Sequence, residues 1–271
     1  MLAIDMTTVP TSVSVSPAIT HPPTPSLERE GELVRLTPPP RATTSLAMLK
    51  LIIGNKAYSS WSLRGWLAVK QSGLPFEEIV VPLYDEAWDK VREGDEFAPS
   101  SGKVPILWDG DTVVWDSLAI VDWLADRVGR EKFWPEDDAA RAMARSMAAE
   151  MHSGYAALRR EHGMNIRKRY PPAPLSAEVQ AELTRLFELW AQARARFGGS
   201  GDFLFGDFGA VDIMFAPVCT RLVTYSIPVP RFALPYLQAV FAHPYMQDWI
   251  ADAQAEEWVI EKFEVAPSAA A

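Results

Sequence analysis

The sequence predicts a chain of the α/β + all-α class, preceded by an unstructured extension. Three observations carry this. Strand-like and helix-like runs alternate from residue 49 to about residue 128. Every later periodic segment is helical. Residues 1–47 have no aromatic residue and no apolar periodicity, and they hold eight of the 22 prolines. Such a segment buries too little surface to offset chain entropy. The expected organisation is a disordered extension over 1–47, an α/β domain over 48–130, a helical domain over 137–262 and a frayed tail over 263–271. The extension lacks the apolar stretch of a signal peptide, and its arginines are balanced by acids. Met48, directly before the first strand, is read as a possible true start.

Each element follows in order. LKLIIGN is a short buried strand. SWSLRGWLAVKQSG is a helix with Leu63, Trp66, Leu67 and Lys70 along one side and Gly73 as its stop. PFEEIVVPL is a second strand, and DEAWDKVREG a weaker, polar helix. VPILWDGDTVVW is a hairpin with an Asp-Gly turn. DSLAIVDWLADRVG is a helix again. A helix between the first two strands implies a parallel pair, to which the hairpin adds an antiparallel edge.

Only helices follow. AARAMARSMAAEMHSGYAALRREHG has one long helical period. SAEVQAELTRLFELWAQARARFG opens on a Ser-x-Glu cap, closes at Gly198 and Gly199, and buries Val179, Leu183, Leu186, Phe187 and Trp190. GAVDIMFAPVCTRLVTYS is the most apolar helix and is expected to be central, bent or interrupted at Pro217. Two shorter helices follow near Pro235 and Pro244.

Composition excludes several functions. The chain has 271 residues, 48% of them hydrophobic, enough for a real core. A net charge of −9 argues against nucleic acid or an anionic membrane as the main partner. No apolar run is long enough to span a bilayer. Cys219 is the one cysteine, so no internal disulfide or Cys-based zinc site forms, and a reducing, cytoplasmic compartment fits. His21, His152, His162 and His243 have no ligand spacing, and no metal is expected. No Gly-x-Ser-x-Gly elbow occurs.

Four motifs, in order on these elements, resemble those of the soluble glutathione S-transferases, in particular a serine-type, zeta-like bacterial branch. YSSWSLR resembles the Ser-Ser-x-Ser-x-x-Arg signature. KVPIL resembles the strand with the family's cis-proline. WDSLAIVDWL resembles its acidic-Ser pair and third helix. GAVDIMFAP resembles the capping motif of its central C-terminal helix. The resemblance implies a thioredoxin-like N-terminal domain, an all-helical C-terminal domain, glutathione as cosubstrate, a small electrophile as second substrate, a detoxification role and a homodimer. Two departures stand out. Gly209 occupies the usual Ser/Thr cap position, with Asp212 kept at N3. Trp61 stands where the zeta pattern has Cys.

The serines make sense as a thiolate cradle. A free cysteine thiol has a pKa of about 8.5, and glutathione is taken as comparable. Ionising it at pH 7 requires a fall of roughly 2 units, or about 2.7 kcal/mol. A hydroxyl donating to the anion supplies roughly 1.5–3 kcal/mol. A helix N-terminus adds roughly 0.3–1 kcal/mol. Ser59 is the expected sulfur partner, Ser60 the second candidate and Tyr58 the third. Val104, before Pro105, is expected to pair with the cysteinyl backbone. Ser117 would hold the γ-glutamyl carboxylate, Asp116 the amine, and Lys103 the glycyl carboxylate. Tyr155 and Arg159 are candidates beside the electrophile. Arg64 is expected in a structural salt bridge or on the ligand, and Arg167, Lys168 and Arg169 in a solvated loop or beside an anionic cosubstrate. The expected reaction is conjugation to an electrophilic carbon. The alternatives are glutathione-dependent cis-trans isomerisation of the maleylacetoacetate type and a non-catalytic binding scaffold.

Overall fold

The computed structural model describes residues 48–264, so the expectations for 1–47 and 265–271 lie outside the described residues. Strand β1 (Leu49–Gly54), helix α1 (Ser60–Ser72), β2 (Phe76–Val81), α2 (Glu86–Val91), β3 (Ile106–Asp109), β4 (Thr112–Trp115) and α3 (Ser117–Val128) follow the expected order. The four-stranded sheet runs β2-β1-β3-β4, with β1 parallel to β2 and the hairpin antiparallel. Helix α1 stops at Gly73. Its Leu63, Trp66 and Leu67 are buried, each contributing roughly 1.5–3 kcal/mol. Lys70, at the edge of that stripe, instead reaches Asp248 at 3.0 Å.

The register brings distant segments to one end of the sheet. Ile52 faces Ile106 across the β1–β3 pair, and Ile106 faces Trp115 across the hairpin. Continued by two residues, the first register sets Gly54, where the β1–α1 loop begins, against Val104. Continued by one, the second sets Pro105 against Asp116. The Val104–Pro105 bond is cis. Gly65 allows the close approach of α1, since a Cβ there would lie 2.7 Å from the Pro105 ring.

The rest is helical: α4 (Asp138–Ser153), α5 (Ala156–Glu161), α6 (Ala177–Phe197), α7 (Ala210–Thr224), α8 (Leu234–Ala242) and α9 (Pro244–Ala255). Helix α7 is central, buried almost throughout. Two expectations need correction. The single long helix over 139–163 is two, because Tyr155 is left-handed at φ 58° after Gly154. The freed N–H groups of Ala157 and Leu158 donate to the Glu182 carboxylate at 3.1 and 2.8 Å. Pro217 does not interrupt α7. It lacks one N–H, while its own carbonyl accepts from Thr220 Oγ1 at 2.8 Å and Arg221 at 3.0 Å.

The cap of α7 explains the glycine. A Cβ on Gly209 would stand 2.8 Å from the Phe133 carbonyl oxygen, the atom that accepts from Ala210 N–H. Asp212 does the capping instead, accepting from Gly209 N–H at 2.9 Å and Leu204 N–H at 3.3 Å. Burial pushes its carboxyl up to about 7, against the pull of those two N–H groups.

Candidate functional site

Ser59 is the N-cap of α1. Its Oγ accepts from Ser62 N–H at 3.3 Å and donates to Ser62 Oγ at 2.7 Å. Ser62 Oγ also accepts from Gly54 N–H at 2.9 Å, which ties the helix start to the end of β1. Ser59 is 8% exposed. Ser60, the first helical residue, is half-buried, and its side chain makes no hydrogen bond among the described residues.

At the same end of the sheet, Asp116 caps α3. It holds a left-handed φ of 75° while its Oδ1 accepts from Leu118 and Ala119 N–H at 2.9 and 3.3 Å. A non-glycine residue there is strained unless its side chain bonds locally, as this one does. Ser117 is the first residue of α3. It is fully buried, and its Oγ has no hydrogen-bond partner among the described residues. A buried hydroxyl without a partner costs about 1–3 kcal/mol. Val104 is half-buried beside the cis bond. The Lys103 side chain is exposed, and its N–H donates to Ser100 Oγ at 3.0 Å.

A cationic wall forms where α1 meets the helical half. The guanidinium groups of Arg64 and Arg159 each lie 4.9 Å from the Trp61 ring, and His152 meets that ring edge-on at 5.3 Å. His152 Nε2 is 3.2 Å from Asp116 Oδ2, which links α4 to the start of α3. Burial holds the His152 imidazole below its usual pKa, opposed by Asp116. Arg64 forms no salt bridge among the described residues, contrary to that expectation. It is 1% exposed, and its Nε donates to the Met214 carbonyl of α7 at 3.0 Å. Burial, then the charges of Arg159 and Arg221, hold it well below the usual arginine value. Arg159 donates to the carbonyls of Met151 and His152. Tyr155 lies in the core, edge-on to Phe215, rather than on an open cleft.

Three residues expected in a loose loop are engaged. Arg167 donates to the Glu256 and Trp258 carbonyls at 2.5 and 2.8 Å and to the Tyr58 hydroxyl. Lys168 pairs with Glu264 at 2.7 Å, and Arg169 donates to the Ile166 and Lys168 carbonyls at 3.1 and 2.7 Å. The Tyr58 hydroxyl in turn donates to Glu264, so it is occupied by the segment after α9. Burial first, then Glu264, raises its pKa. Phe263 stacks on Tyr58 at 5.9 Å, so residues 263 and 264 are anchored. The sequence carried no local signal for this segment, nor for Trp61 and His152 as site residues.

Residues 58–127 match the family model for the glutathione S-transferase N-terminal domain, and residues 176–252 the model for the C-terminal domain. The chain is 26% identical over 193 residues to glutathione S-transferase GstB of Escherichia coli K12, a match covering 66% of this chain and 90% of that protein. It is 23% identical over 180 residues to protein IN2-1 homolog A of Oryza sativa subsp. japonica, covering 65% and 67%. Among solved structures, a glutathione transferase homolog from Burkholderia gl BGR1 with bound glutathione superposes with a TM-score of 0.57 at 21% identity, covering 77% of this chain and 98% of that one. Ure2p in complex with glutathione does so with 0.56 at 18%, covering 76% and 94%. With both halves matched in order, and the cis-proline and helix starts in place, the chain belongs to the glutathione S-transferase family.

Proposed function

We propose that the protein is a serine-type glutathione transferase, in which the Ser59 hydroxyl donates a hydrogen bond to the glutathione sulfur and holds it as a thiolate, the thiol proton leaving to solvent. The observation that carries this reading is the buried, unpartnered Ser117 hydroxyl beside Asp116, at the sheet end shared with Ser59 and the cis Val104–Pro105 bond. The Ser117 hydroxyl and N–H take the γ-glutamyl carboxylate at the start of α3. Asp116 takes the amine, Val104 the cysteinyl backbone in strand fashion, and Lys103 the glycyl carboxylate.

The present bond from Ser59 to Ser62 does not oppose this role. A neutral hydrogen bond is worth about 1 kcal/mol and one to a charged acceptor about 1.5–3. A thiolate therefore outcompetes Ser62 Oγ by a turn of the hydroxyl proton. The thiolate then attacks an electrophilic carbon and forms the thioether as the leaving group departs. Retention on immobilised glutathione, with turnover of an aryl halide, is the expected result. Retention without turnover of any electrophile would favour a binding scaffold. A homodimer is expected, checked by light scattering.

A specific observation favours the isomerase as the second reading. Arg64, Arg159 and Arg221 lack ion-pair partners among the described residues, and the first two flank Trp61 on α1. An unsaturated diacid would supply the missing negative charge. Faster turnover of maleylacetoacetate than of aryl halides would select this reading.

A further inference from the structure

We propose that Glu256, just after α9, is a positioning residue for Ser59, acting through the backbone of the β1–α1 loop. Its carboxylate accepts from Lys56 N–H at 2.8 Å and from Ala57 N–H at 3.0 Å. The inference rests on the reading of Ser59 as the thiolate partner.

The loop Asn55–Ser59 has no ladder of its own. Its backbone groups find partners elsewhere. The Lys56 carbonyl accepts from Trp249 Nε1 at 3.1 Å. The Ala57 carbonyl accepts from Ile166 N–H at 3.1 Å. Only Tyr58 and Ser59 N–H turn inward, to the Asn55 carbonyl at 3.2 and 2.9 Å. The helical half therefore dictates the path of the chain into Ser59, and Glu256 alone satisfies two of the buried donors. Ala57 is fully buried and Lys56 is 4% exposed, so water does not replace the carboxylate there. Losing it forces the loop to move, and the bond from Ser59 N–H to Asn55 passes that movement to the cap. Glu256 is itself held down, because Arg167 binds its carbonyl. The neighbouring Lys56 ammonium is bound by Glu78 and Asp252, each at 2.6 Å, and does not depend on Glu256.

The sign of the effect separates positioning from charge. A carboxylate near the site disfavours a thiolate, so removing its charge alone lowers the thiol pKa. Misaiming Ser59 raises it. The test titrates the thiolate absorbance of glutathione bound to the full-length wild type, Glu256→Gln, Glu256→Ala and Ser59→Ala, with thermal midpoints alongside. Glu256→Gln, which keeps one acceptor, is expected to raise the bound thiol pKa by about one unit, with a tenfold loss of kcat/KM below that pKa. Glu256→Ala is expected to do more. An unchanged pKa with a lowered thermal midpoint makes Glu256 merely structural and overturns the inference. A lowered pKa makes it a bystander charge and also overturns it. If the Glu256 variants leave the pKa unmoved while Ser59→Ala raises it, the inference fails and the reading of Ser59 survives. If Ser59→Ala leaves it unmoved, both fail.

Discussion

Helices α1 and α7 solve the same problem with opposite means. Each must satisfy its first N–H groups. Helix α7 does so with no side chain at its N-cap, because the Phe133 carbonyl leaves no room for a Cβ on Gly209, and Asp212 reaches back instead. Helix α1 starts with three hydroxyls, Ser59, Ser60 and Ser62, of which one caps and one ties back to β1. The contrast shows that a buried helix start needs little. Two acceptors, the Phe133 carbonyl and the Asp212 carboxylate, suffice at α7, and under the proposed function a sulfur anion accounts for the surplus at α1.

The largest expected effect breaks the α1 side. Ser59→Ala should cut turnover of an aryl halide by roughly 10²-fold, about 2.7 kcal/mol in the barrier, while lost capping lowers stability by only about 1 kcal/mol in a denaturant titration. Ser60→Ala should leave turnover near wild type. The reverse pattern would move the assignment by one residue.

Ser117→Ala is the next largest. Its hydroxyl has no partner to lose, so the variant should be as stable as wild type or more so. Glutathione should nevertheless bind about tenfold more weakly by calorimetry, since a hydrogen bond to a carboxylate is gone. Weaker binding with a destabilised fold would mean that the hydroxyl has a structural partner instead.

On the α7 side, Gly209→Ala should destabilise by about 1–3 kcal/mol, because the new methyl group meets a backbone oxygen. Turnover per folded molecule should not change. A stabilised Gly209→Ala would show that the junction yields and that the glycine is not required by packing.

A further effect is in pH dependence. Burial raises the Asp212 carboxyl from 3.8 to about 7 in the folded chain. Between those values the unfolded chain has lost the proton that the folded chain keeps. The stabilisation linked to this proton is therefore complete below the unfolded value and is lost as pH rises through about 7. Thermal midpoints of wild type relative to Asp212→Asn should fall from pH 5 to pH 8. A flat difference would mean that Asp212 stays ionised in the fold.

The α/β half was legible because its signals are local. The Asp-Gly turn, the stripe of Leu63, Trp66 and Leu67 and the stop at Gly73 lie within a few residues of what they control. The serines and the Val-Pro and Asp-Ser pairs were legible as motifs for the same reason. The break between α4 and α5 was not. The period of the apolar residues continues through Gly154, and the left-handed Tyr155 depends on Phe215 and Glu182, far along the chain. Nor was the hold of Glu256 on Lys56 and Ala57, made across about 200 residues, or the cationic wall around Trp61. Spacing does not reveal which arginine is left without a carboxylate once the chain has folded.

The central claim is that binding ionises the glutathione thiol at Ser59. Calorimetry of glutathione binding at pH 7, in buffers of different ionisation enthalpy, counts the protons released. A fall of about 2 units from 8.5 predicts roughly 0.7 proton per bound glutathione for the wild type and far less for Ser59→Ala. Tight binding with no proton released by the wild type, or equal release from both proteins, would contradict the account.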